Sequence, residues 1–150
     1  MTINPLPQSE FNLSTNDGLE LYARTWGDPQ ASRAALVLVH GLGEHCSRYE
    51  HVAQALVSEG LYVLGFDQRG HGRSPGKQGW IPSYEQPLDD IAVALERAQM
   101  DTPDLPLFLY GHSLGGLEVL HYGLVRKSEL QGVIATSPAL MISTSTLNRL

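Results

Sequence analysis

Ser113 lies in Gly111-His112-Ser113-Leu114-Gly115, directly after the apolar run Leu107-Phe108-Leu109-Tyr110. A serine flanked by glycines two positions away on either side, between a strand and a helix, has the form of a nucleophile elbow. Its chemistry is acyl transfer. The hydroxyl attacks a carbonyl carbon, and a covalent acyl intermediate divides one hard step into two easier ones. The backbone reverses so sharply that side chains at the flanking positions collide, which accounts for Gly111 and Gly115. The hydroxyl is then held at a helix N-terminus, where free N–H groups and the helix dipole favour an oxyanion. A second N–H is needed from a loop after a neighbouring strand. His40-Gly41-Leu42-Gly43, closing the apolar run over residues 35–40, supplies such a loop, so Leu42 and Leu114 are expected to present the two amides.

A serine hydroxyl also needs a base and an acid to orient it. After Ser113 the chain holds no Asp, only Glu118 and Glu129, and one histidine, His121. Glu118 and His121 fall on the helix that Ser113 opens, about 7 and about 12 Å down its axis at 1.5 Å per residue. A general base must come within about 3 Å, directly or through one water. Neither reaches. His71 reads as a hydrogen-bonding residue of a glycine-rich loop, His112 as fixed in the elbow and pointing away from the hydroxyl, and His45 and His51 as lying near a helix start without a catalytic role.

The elements that must position these residues are legible from periodicity. Residues 11–14 and 19–25 are strand-like, with the turn signal Asn16-Asp17-Gly18 between them, and predict an N-terminal hairpin. Residues 35–40 read as a strand buried on both faces, 61–66 as the next buried strand, and 107–110 and 132–136 as further strands. Helical spacing runs over residues 49–57, ended by Gly60, over 87–100, with Asp89 and Asp90 in the first turn, and over 114–125. Residues 69–77 form a loop. Strands alternating with helices after a hairpin predict an α/β fold with a mostly parallel sheet.

Composition narrows the function classes. Hydrophobic residues at 42% and charged ones at 17% describe a folded globular chain, and 150 residues suffice for one domain with a core. A net charge of −6 with scattered basic residues argues against nucleic acid. The single cysteine, Cys46, permits no intrachain disulfide and suits a reducing compartment. No signal-peptide pattern and no run of about 18 apolar residues occurs, so the expectation is a cytoplasmic, soluble protein. Neither zinc-ligand spacing nor a phosphate-binding glycine pattern is present; no metal and no cofactor are expected.

Four segments together carry a family likeness: His40-Gly41-Leu42-Gly43-Glu44-His45, Arg48-Tyr49, the stretch Phe66-Asp67-Gln68-Arg69-Gly70-His71-Gly72-Arg73-Ser74, and Gly111-His112-Ser113-Leu114-Gly115-Gly116. From about residue 10 to residue 138 the chain resembles the monoacylglycerol lipase and lysophospholipase branch of the α/β-hydrolases, grouped with serine aminopeptidase-like hydrolases. The resemblance implies Ser113 as nucleophile, with Leu42 and Leu114 at the oxyanion. It places Glu44 and Arg48 at the polar end of the pocket, facing a glycerol head group; read from the residues alone, they equally make a surface ion pair at a helix start. The substrate class implied is a small acyl ester or lipid, a monoacylglycerol or lysophospholipid first. Peptidases and other ester-cleaving relatives share these segments. Aspartate-nucleophile relatives are excluded by Ser113.

In that family the acid follows the strand after 132–136, the histidine follows the last strand, and a helical cap over the acyl pocket lies between. The expectation is therefore a partial domain: a hairpin over 10–27, strand-helix units over 34–137, and 138–150 as the start of a missing cap or a frayed tail. The missing cap would set acyl preference and any peripheral contact with a membrane. Besides the ester hydrolase two readings stay open: a non-catalytic fragment that binds acyl ligands or a partner chain, and one half of a complementing pair.

Overall fold

A computed structural model describes residues 8–126 and 129–140. The opening hairpin forms as expected, with strands β1 (Gln8–Ser14) and β2 (Glu20–Trp26) paired antiparallel. Thr15 closes its turn, donating its N–H to the Leu19 carbonyl, and Gly18 takes φ 86°, a left-handed value. Then come β3 (Ala34–Val39), a short 3-10 turn (Cys46–Tyr49), α1 (Glu50–Ser58), β4 (Leu61–Phe66), α2 (Gln86–Asp101), β5 (Leu107–His112), α3 (Leu114–Val125) and β6 (Gly132–Thr136).

The six strands make one sheet in the order β1-β2-β4-β3-β5-β6. β3 runs parallel to both β4 and β5, and β5 parallel to β6, while β2 joins β4 antiparallel. The carboxyl ends of β3, β4 and β5 therefore lie side by side, and the loops that leave them meet at one edge. Ligands bind at such carboxyl ends in open α/β sheets. The central strands are buried on both faces, as continuous apolar runs predict. Leu36, Leu38 and Val63 pack with Trp26 under α1, and Val37, Val39 and Leu64 pack under α2 and α3.

α2 differs from the expectation at one residue. Asp89 stands in the first turn and pairs with Arg126, but Asp90 is buried and takes two 2.7 Å bonds from Arg69. Arg69 also reaches Asp17 in the hairpin turn at 3.0 Å. One guanidinium thus ties the hairpin, the loop after β4 and α2 together. The tail beyond residue 140 lies outside the described residues. No helix among the described residues is long and apolar enough to cross a membrane.

Candidate active site

Ser113 stands between β5 and α3 with φ 54° and ψ −115°, a conformation costly for a residue with a Cβ. Its neighbours hold it there. Its N–H donates to the Thr136 carbonyl at 3.0 Å, and its own carbonyl accepts from Leu117 at 3.1 Å and Ala139 at 3.0 Å. The flanking glycines are a steric necessity. A Cβ on Gly111 would run into the Gly115 backbone, and one on Gly115 into the carbonyl oxygens of Val39 and His40. The elbow therefore packs directly against the end of β3, which brings the loop at residues 41–43 to the serine. A Cβ on Gly41 would lie 3.1 Å from the Ser113 Cβ.

His40 fixes that loop. It is fully buried, its Nε2 accepts the Gln68 N–H at 2.9 Å, and its Nδ1 therefore carries the proton and donates to the Gly41 carbonyl at 2.8 Å. Burial holds its pKa down to about 4, so the ring is neutral and structural. The Gln68 side chain donates to the His40 carbonyl at 2.7 Å. Leu42 follows on an exposed turn, and its N–H donates to no group among the described residues. Leu114, the first residue of α3, has no helix carbonyl of its own to bond.

Glu44 closes the other side. Its Oε2 accepts from the Gly41 N–H at 2.9 Å and from the Tyr49 hydroxyl at 2.6 Å, and its Oε1 lies 3.3 Å from Arg48 Nε. Burial works to raise its pKa, but Tyr49, Gly41 and Arg48 outweigh it and keep the carboxyl below its ordinary value. Glu44, Arg48, Tyr49 and His112 line a cavity of about 250 Å³. His112 Nδ1 lies 3.0 Å from Thr136 Oγ1, and His71 Nδ1 lies 3.1 Å from the Arg69 carbonyl. No histidine is hydrogen-bonded to the Ser113 hydroxyl among the described residues.

Two further residues lie near the site, Asp67 within one of the four segments quoted above and Glu118 outside them. Asp67, at the end of β4, accepts from the Cys46 N–H at 2.7 Å and the Arg73 N–H at 2.8 Å, joining the 3-10 turn to the next loop. Glu118, read as too distant to serve the serine, is nine-tenths buried, and its Oε2 has no hydrogen-bond partner. A lone carboxylate five positions after the serine, on a helix whose other ionisable side chains are His121 and Tyr122, was the only clue. Cys46 is fully buried and burial pushes its thiol pKa up, which removes it as a nucleophile.

Residues 30–150 match the family model Hydrolase_4, described as serine aminopeptidase, S33. An uncharacterized abhydrolase domain-containing protein of Dictyostelium discoideum is 44% identical over 90% of this chain and 14% of its own. The monoacylglycerol lipase of Mycolicibacterium smegmatis is 35% identical over 89% of this chain and 48% of its own. The solved monoacylglycerol lipase of Paleococcus ferrophilus superposes with a TM-score of 0.65 at 33% identity, over 97% of this chain and 49% of that one. The chain thus spans less than half the length of these relatives. An elbow serine on a mostly parallel sheet, the loop packed against it and the match over 121 residues agree: the chain belongs to the serine aminopeptidase S33 family of α/β-hydrolases, in its monoacylglycerol lipase-like branch.

Proposed function

We propose that Ser113 is the nucleophile of a serine ester hydrolase acting on a monoacylglycerol or lysophospholipid through an acyl-enzyme. The observation that carries this reading is the strained Ser113 backbone, because a φ of 54° persists only where the surroundings enforce it. The hydroxyl adds to the ester carbonyl carbon, and the oxyanion takes hydrogen bonds from the Leu42 and Leu114 amides. Collapse expels the glycerol-bearing alcohol, and water then releases the acid. Glu44 and Arg48 face the head group from their shared cavity, whose donors and acceptors suit hydroxyls. Both nitrogens of His40 are engaged in holding loops, so the base and its acid partner are assigned to chain outside the described residues.

Fluorophosphonate labelling of Ser113 and turnover of a p-nitrophenyl ester are the expected results. Ser113→Ala should abolish the label and lower kcat/KM by at least about 10³-fold. Labelling at another residue contradicts the assignment. The unpartnered hydroxyl favours a second reading for residues 1–150 alone: they bind acyl ligands without turnover, or need a complementing chain. Rapid hydrolysis by that segment alone excludes it.

A further inference from the structure

Among the described residues two that are not glycine take a left-handed φ, Ser113 at 54° and Ser137 at 44°. The first is the elbow, and the second follows the last residue of β6. A side chain with a Cβ keeps such a conformation only where its surroundings impose it. At Ser137 the sheet ladder imposes it. β5 and β6 run parallel in a register that ends with His112 opposite Thr136, so Ser113 falls opposite Ser137. In a regular parallel ladder the Ser113 N–H donates to the carbonyl of residue 136, and the Ser113 carbonyl accepts from the N–H of residue 138. The first bond is present at 3.0 Å. The second cannot form, because residue 138 is proline and has no N–H. One extra residue enters instead: with Ser137 left-handed, the Ala139 N–H reaches the Ser113 carbonyl at 3.0 Å. The result is a β-bulge on the β6 side of a parallel pair. Pro138 is pressed onto the first turn of α3, where a Cβ on Gly116 would lie 3.1 Å from its Cα.

We propose that Ser137 is a positioning residue for Ser113: the bulge that Pro138 forces lets residues 136 and 139 grip both backbone groups of Ser113 and keep it left-handed. The role in hydrolysis rests on the function proposed above, whereas the grip on the backbone does not. Ser137 itself is exposed, so a substitution there acts through the backbone. Glycine adopts the bend most readily, and a β-branched residue resists it.

Pro138→Ala supplies the missing N–H and lets the ladder run on without the extra residue. In the isotope-labelled full-length protein, the scalar coupling through the hydrogen bond to the Ser113 carbonyl carbon should move from the nitrogen of residue 139 to that of residue 138. The φ of residues 113 and 137, read from their amide-to-Hα couplings, should leave the left-handed region. Fluorophosphonate labelling of Ser113 should slow at least about tenfold while the thermal midpoint stays level or rises. Loss of a merely structural contact would lower both together. Ser137→Gly should label at least as fast as the parent protein, and Ser137→Val at least about tenfold more slowly. Should Ser137→Val fail to fold, Pro138→Ala still decides. A coupling that stays at residue 139 in Pro138→Ala, or labelling that keeps its rate after the coupling has moved, overturns the proposal. A moved coupling and a relaxed Ser113, with no labelling of any of the proteins, sinks the catalytic reading and spares the grip. Labelling of the parent protein, with Ser113 still left-handed in Pro138→Ala, does the reverse.

Discussion

Glu44 and Glu118 lie near the same loop, at Gly41 and Leu42, and their surroundings drive them to opposite protonation states. Glu44 has three partners for its charge and Glu118 has none at Oε2. The Glu44 contacts suggest a test that separates loop support from head-group binding. Glu44→Ala frees the Gly41 amide, so hydrolysis of p-nitrophenyl acetate, which has no head group, should lose about 10- to 100-fold in kcat. A change in KM alone, confined to glycerol esters, would assign Glu44 to the substrate only. For Glu118 the sign follows from linkage. Its ordinary pKa is 4.5 and its folded value about 8. Between those values the folded chain holds a proton that the unfolded chain has released. Stability therefore falls as pH rises through that window and levels off above it. Glu118→Gln removes the dependence and should gain on the order of a few kcal/mol over the native residue at pH 9, with little difference at pH 4, in urea unfolding. Parallel pH profiles for the two proteins would contradict the buried-acid assignment.

Between elements, the strongest polar tie is Arg69. Its bond to buried Asp90 and its bond to half-exposed Asp17 are predicted to differ sharply in worth. Asp90→Ala leaves a buried guanidinium short of its main partner and should cost about 3–5 kcal/mol. Asp17→Ala should cost at most about 1 kcal/mol, because solvent screens that pair. Comparable losses in thermal unfolding would show that Arg69 is wetter than described. This clamp also marks the limit of what the residues disclose before folding. Each strand and helix was legible because its pattern is local: apolar runs at 35–40 and 107–110, helical spacing at 114–125, glycines around Ser113. Asp90 looked like a first-turn acid because Arg69, 21 positions away, leaves no trace in the local pattern. For the same reason Glu44 could be read as a surface pair, and its bonds to Gly41 and Tyr49 could not. The placement of β3 between β4 and β5, which brings Leu42 to Ser113, is likewise a long-range outcome.

For the molecule as a whole, the sheet has two unequal edges. β1 carries exposed polar and charged residues, whereas β6 exposes Ile134 at 45%, with Leu140 close by in the chain and also exposed. Among the described residues no strand lies on the outer side of β6. An apolar open edge templates pairing with other chains. Residues 1–150 alone should therefore scatter light increasingly with concentration, and Ile134→Lys should suppress that. Equal association of both would place the sticky surface elsewhere. The Ala139 amide that bonds the Ser113 carbonyl carries a further implication. The segment leaving the sheet is tethered to the peptide unit of Ser113, so seating that segment and holding the left-handed turn are coupled through one backbone bond.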